Sequence, residues 1–82
     1  MKFYTLDGQF IKESNMLPHN FTGIVTWGNG DKEWFVNGKL HRLDGPAVEF
    51  ADGTKVWYID GKPGTEKQCN LLHSIMKLKG LV

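Results

Sequence analysis

The chain has 82 residues, 40% of them hydrophobic, and a formal net charge of +1. That is enough for one domain with a thin core, and ten basic against nine acidic residues give no overall field that would draw it to nucleic acid or to a membrane. A single cysteine, Cys69, cannot form an internal disulfide and fits a reducing compartment, and no apolar run reaches the ~20 residues of a membrane-spanning helix.

The first 17 residues lack the apolar stretch of a signal peptide, so a cytoplasmic location is expected. Residues 1–13 read as a hairpin. Asp7-Gly8 lies between the apolar flanks Phe3-Tyr4 and Phe10-Ile11, and Asp-Gly favours a two-residue type I′ turn. Residues 4–9 also resemble residues 57–62, which makes this hairpin a partial, divergent third copy of the unit that fills residues 23–62. Residues 12–20 are polar, contain Pro18 and read as a surface loop with Met16 and Leu17 tucked beneath it.

Residues 30–62 then say one thing twice. Gly30-Asp31-Lys32-Glu33-Trp34-Phe35-Val36-Asn37-Gly38-Lys39 is answered, 23 residues on, by Gly53-Thr54-Lys55-Val56-Trp57-Tyr58-Ile59-Asp60-Gly61-Lys62. Two-residue loops at Asn29-Gly30 and Asp52-Gly53 predict that Val25 faces Trp34 and Trp27 faces Lys32. The same loops set Val48 opposite Trp57 and Phe50 opposite Lys55. Cross-strand partners share a face and alternation fixes the rest. One face would hold Val25, Trp27, Trp34, Val36, Val48, Phe50, Trp57 and Ile59 as the core. The other would carry Ile24, Thr26, Glu33, Phe35, Ala47, Glu49, Val56 and Tyr58, with Phe35, Val56 and Tyr58 as a half-exposed aromatic strip.

Asn37-Gly38 and Asp60-Gly61 are further turns, and Pro46, which cannot donate to a ladder, marks the start of a strand. Pro63-Gly64 ends the sheet. A helix is expected over residues 65–79, with Thr65 as N-cap, Gln68 closing a capping box and Gly80 at its C-terminal end. Cys69, Leu71, Leu72, Ile75, Met76 and Leu78 form its apolar arc, which needs a surface to lie on. The aromatic face of the sheet is the expected one. The fold class is therefore mainly β: one domain, an antiparallel meander of about six strands (1–13 an N-terminal hairpin, 23–62 two hairpin repeats) with one C-terminal α-helix.

The 23-residue period with one hairpin per period resembles MORN-type repeats. More closely, His41-Arg42-Leu43-Asp44-Gly45-Pro46-Ala47 followed by Ala51-Asp52-Gly53-Thr54-Lys55-Val56-Trp57-Tyr58 is similar to the HRxDGPA repeat found in strings in proteins of tailed bacteriophages. The resemblance covers residues 23–62. It implies an antiparallel β-meander and a scaffolding or interaction role, with phospholipid binding or self-association in some MORN proteins. About two and a half repeats are present, fewer than in MORN arrays, and regular Tyr-x-Gly steps are missing. The terminal hairpin and helix are then expected as end caps.

His41, Arg42 and Asp44 are the one tight polar cluster. They suit either an arginine-anchored anion site or a turn in which Asp44 caps Gly45 and pairs with Arg42 or His41. Cys69 and His73 lie one helical turn apart, but a catalytic thiolate would need its pKa lowered. His19, His41 and His73 lack metal-ligand spacing, so neither metal nor cofactor is expected. Trp27 with Lys32, and Phe50 with Lys55, could stack nucleic-acid bases or simply lay a lysine stem over an aromatic ring. The expected role is a non-enzymatic protein-interaction module, a phage accessory protein binding or inhibiting a host protein in the host cytoplasm. Nucleic acid and membrane are not expected partners. The binding surface is either the strip Phe35, Val56 and Tyr58 or the turn with His41, Arg42 and Asp44. Two competing readings are lipid-headgroup binding through a stripe of Lys32, Lys39, Arg42, Lys55 and Lys62, and a small Cys69/His73 enzyme. A homodimer is one way to cover the open sheet edges; the loop and helix folding over them is the other.

Overall fold

The computed structural model describes residues 1–78, with the side chains of His73, Met76 and Lys77 outside that description. The chain forms β1 (Lys2–Tyr4), β2 (Phe10–Glu13), β3 (Gly23–Thr26), β4 (Lys32–Val36), β5 (Lys39–Leu40), β6 (Val48–Glu49), β7 (Lys55–Ile59), β8 (Lys62–Gly64) and the helix α1 (Glu66–Leu78). The strands make one antiparallel sheet in the order β2-β1-β3-β4-β6-β7-β8, with β5 also against β4. From β3 onward it is a meander, as the repeat period predicts.

The turn chemistry comes in two kinds. Asn37-Gly38 and Asp60-Gly61 are two-residue turns with positive φ at both positions, 51° and 79° in the first, 51° and 78° in the second. Asn29-Gly30 and Asp52-Gly53 instead belong to three-residue loops. Trp27 N–H bonds Asp31 C=O at 2.9 Å and Gly30 N–H bonds Trp27 C=O at 3.0 Å, and only the glycine has positive φ, 97°. Phe50 and Thr54 close the second loop in the same way, and Thr5 and Gln9 close a third around Asp7-Gly8. The N-terminal hairpin therefore copies the loop at Asp52-Gly53 rather than the turn at Asp60-Gly61.

The extra loop residue corrects the expected register. Ile24 pairs with Trp34, Val25 with Glu33 and Thr26 with Lys32; Val48 pairs with Val56 and Glu49 with Lys55. Each hairpin is shifted by one residue, and a one-residue slip moves a whole strand to the other face. Alternation within each strand is as expected, but Val25, Trp27, Val48 and Phe50 now share a face with Glu33, Phe35, Val56 and Tyr58. Trp34, Val36, Trp57 and Ile59 lie on the other. Phe35 is buried at 7% exposure, at the centre of a cluster with Phe3 and Val25, both fully buried. Trp34 and Trp57 are half-buried, and Trp27 and Phe50 are exposed at 40% and 42%.

At the N-terminus β1, not β2, lies against β3, with Phe3 opposite Val25. Residues 14–22 carry the chain back past this hairpin. Met16 and Leu17, expected beneath the loop, are both exposed; Phe21 is the residue that tucks in, edge-on to Phe3 at 5.0 Å between ring centres. Gly23 is buried with φ 148°, and a Cβ there would sit 2.2 Å from the Tyr4 carbonyl oxygen and 2.6 Å from the Phe21 ring.

The sheet does not end at residues 63 and 64. Lys62–Gly64 pairs with β7 as an edge strand, and its Pro63 protects that edge. The other edge is β2, exposed throughout. The helix begins with the capping box: Gln68 N–H donates to Thr65 Oγ1 at 3.1 Å and Thr65 N–H to Gln68 Oε1 at 3.0 Å. It meets the sheet at β7 and buries Cys69, while Leu71, Leu72, Ile75 and Leu78 stay exposed. Most of its apolar arc is therefore uncovered, instead of lying on the aromatic face as expected. Lys79 and Gly80, expected at its end, lie outside the described residues.

Candidate functional site

The segment His41-Arg42-Leu43-Asp44-Gly45-Pro46-Ala47 is an excursion from one interrupted strand. β5 and β6 lie on the same side of β4, with Phe35 opposite Leu40 and Glu33 opposite Val48. Trp34 spans the gap: its carbonyl accepts from His41 N–H at 3.0 Å and its N–H donates to Ala47 C=O at 2.8 Å. The Arg42 guanidinium lies 4.0 Å from the centre of the Trp34 ring. It also donates to Asp44 Oδ1 at 3.1 Å, to Pro46 C=O at 3.1 Å and to Glu49 Oε2 at 3.2 Å. Gly45 packs against that guanidinium, where a Cβ would approach to 2.9 Å. His41 Nδ1 accepts the Asp60 N–H at 3.0 Å. A nitrogen that accepts carries no proton, so the 3.5 Å approach of Asp60 Oδ1 to the same atom is not an ion pair in that form. One repeat earlier Thr22 Oγ1 accepts the Asn37 N–H at 2.9 Å, so His41 and Thr22 cap equivalent turns. The cluster His41, Arg42 and Asp44 is thus brought together, with His41 Nδ1, Arg42 Nε and Nη1 and Asp44 Oδ1 engaged within the repeat.

The basic residues expected as a stripe are interrupted by acid. Lys32 and Lys55 both stand opposite Glu49 across the ladder, and Arg42 bonds Glu49 and Asp44.

Of the strip Phe35, Val56 and Tyr58, all three share a face, as alternation predicts. Phe35 is part of the core rather than half-exposed, whereas Val56 and Tyr58 are half-buried. Beside Tyr58 the sheet carries an open groove of about 410 Å³, walled by Trp27, Phe50 and Tyr58 and floored by Leu40 and Val48. Asp31 and Glu33 complete the wall, and the Trp27 indole N–H donates to Glu33 Oε1. Trp27 and Phe50, assigned to the core by the two-residue loops, stand instead at the mouth of a groove. Their place follows from the three-residue loops, which set each two residues from a buried valine at the rim of the sheet.

Cys69 is 2% exposed, and burial pushes its thiol up from the usual value of 9.0, so it is protonated at neutral pH. The side chain of His73 lies outside the described residues. Among the described residues no three His, Cys, Asp or Glu side chains gather as a metal site, and no helix is long and apolar enough to cross a membrane. Comparison with family models, curated proteins and solved structures finds no match in any of the three.

Proposed function

We propose that this chain is a non-enzymatic protein-interaction module and, on its resemblance to the phage HRxDGPA repeats, an accessory protein that binds or inhibits a host protein. The observation that carries this reading is the uncovered groove at Trp27, Phe50 and Tyr58. Exposed aromatic side chains of this kind anchor interfaces, because they bring large apolar area at low entropic cost. The His41–Ala47 segment is the weaker candidate surface, since Arg42 Nε and Nη1 already donate to Asp44, Pro46 and Glu49. Capture from bacterial lysate on the immobilised chain tests the reading, with Tyr58→Lys as the paired control and circular dichroism confirming its fold. A protein retained by the wild type and lost by the variant supports it; identical captured sets refute it.

Self-association is a second reading, favoured by β2, an edge strand with Phe10 at 59% and Ile11 at 45% exposure. Such an edge offers unpaired backbone groups to another strand. Light scattering at micromolar concentration separates the 9.3 kDa chain from its dimer.

A further inference from the structure

The geometry points to a cation site: we propose that the groove at Trp27, Phe50 and Tyr58 receives a lysine or arginine side chain of the protein partner. The inference rests on the interaction reading above and specifies what that partner must present. Three aromatic rings line the groove together with two carboxylates, and among the described residues no basic side chain lines it. The register explains the charge sorting. Glu33 and Val48 point to the groove, while Lys32 and Lys55, one residue out of phase, alternate to the opposite face.

The two carboxylates are not equivalent. Asp31 is used within the fold: Oδ1 accepts the Ala51 N–H at 2.8 Å and Oδ2 accepts from Asn29 Nδ2 at 3.1 Å. Glu33 is half-buried. One oxygen accepts the Trp27 indole N–H, and the other has no hydrogen-bond or ion-pair partner among the described residues. The Trp27–Glu33 bond holds ring and charge side by side, so a cation entering here meets an aromatic wall and a carboxylate together. An apolar side chain alone would further desolvate Glu33 without compensation, and an anion would be repelled. A guanidinium or ammonium group satisfies both the free oxygen and the rings. The groove is open rather than enclosed, and its floor of Leu40 and Val48 is apolar. That shape suits a basic side chain with apolar neighbours on a peptide segment better than a free small amine, which would leave the floor uncovered.

The test is a titration followed by amide and indole chemical shifts, using the peptide acetyl-Leu-Arg-Leu-amide and its citrulline counterpart, which has nearly the same shape without the charge. The arginine peptide is expected to shift the signals of Trp27, Glu33, Val48 and Tyr58, and to bind about tenfold more tightly than the citrulline peptide. Glu33→Gln, which keeps an acceptor for the Trp27 indole, should remove most of the preference for the arginine peptide, leaving the part due to the rings; its unchanged spectrum elsewhere reports an intact fold. Equal binding of both peptides to the wild type on the same residues overturns the cation assignment and leaves the interaction face standing. Arginine-selective binding that moves signals elsewhere, or no binding of either peptide at millimolar concentration, overturns the assignment as well. Failure of the interaction reading is separate: it is read from unchanged capture by the Tyr58→Lys variant.

Discussion

Asn29-Gly30 and Asn37-Gly38 are the same dipeptide, and the chain folds them differently. Around Asn29 the loop has three residues and only the glycine turns left-handed; at Asn37 the loop has two and both residues do. The first kind is closed mainly by its own residues, with one link outward where Asp31 Oδ1 accepts the Ala51 N–H at 2.8 Å. Asn29 Oδ1 accepts the Asp31 N–H at 3.1 Å and Asp52 Oδ1 the Thr54 N–H at 2.9 Å, the short side-chain turn that Asn and Asp make with the residue two ahead. A Cβ at Gly8 or Gly53 would meet nothing within 4 Å. The second kind is held by the strand before it. Thr22 or His41 caps the first residue, and the glycine N–H bonds Phe21 C=O or Leu40 C=O. One kind of turn is closed chiefly by its own side chains, and the other is capped by the segment before it. Asn-Gly therefore predicts where φ becomes positive without predicting how long the loop is.

The loop length sets the register, and the register decides which aromatic is inside, so the strongest test of the contrast truncates neighbours. Phe35→Ala should cost about 3–5 kcal/mol, the usual range for a buried Phe, and Trp34→Ala about 2 kcal/mol, the loss of a half-buried ring and its stacked Arg42. Urea unfolding reads both. The opposite order would restore the two-residue loops and their register.

The glycines come next. Gly38→Ala places a Cβ 2.3 Å from the His19 carbonyl oxygen at φ 79°, strain and collision together, for about 3 kcal/mol. Gly53→Ala bears only the φ penalty, about 1 kcal/mol. Equal losses would mean that the two kinds of turn are held alike.

Thr22→Val removes the cap on the Asn37 N–H and should cost about 1 kcal/mol, recovered in Thr22→Ser. If Thr22→Val unfolds at the same urea concentration as the wild type, the cap contributes nothing to holding the turn.

The smallest effect distinguishes two of the local loops from each other. Asp52 is held below its usual pKa chiefly by the Thr54 backbone N–H, with the Thr54 hydroxyl adding to it, while its counterpart Asn29 does not titrate. A lowered folded pKa gives stability that is present above the unfolded value of about 3.8 and is lost as pH falls through the folded one. Asp52→Asn should therefore leave the melting temperature near neutrality almost unchanged and make its acid decline slightly shallower below pH ~4. An acid limb identical to the wild type would remove this asymmetry.

Those contrasts also show where the sequence could be read. The capping box of Thr65 and Gln68 is a local pattern with one geometry, and it forms as expected. Alternation places Val56, Tyr58 and Phe35 on one face for the same reason. Which face is buried depends on pairing across loops whose Asn-Gly or Asp-Gly fits two lengths. Nothing in residues 28–31 or 51–54 separates these lengths without the neighbouring strands. The groove is hidden by that same ambiguity: Trp27 and Phe50 read as core residues as long as Trp34 and Trp57 are assigned to their side. The alternation of Lys32, Glu33, Trp34 and Phe35 does carry the sign of the charge at its wall, once the register is known. The helix is legible as an element, but its amphipathic arc holds no information about how little of it the sheet covers.

Trp34, bonded to His41 on one side and Ala47 on the other, lets the sheet register only the two ends of the segment between them. One repeat earlier the same interval, from Thr22 to Ile24, is filled by Gly23 alone; here it holds residues 42–46. The ladder is thus indifferent to the length of chain at this point, and doubling a loop costs only about 0.6 kcal/mol in closure entropy. This interval is where the array can acquire insertions without re-pairing its strands. It is also where a foreign peptide could be grafted for display, with Arg42 and Glu49 left as the clasp at its base.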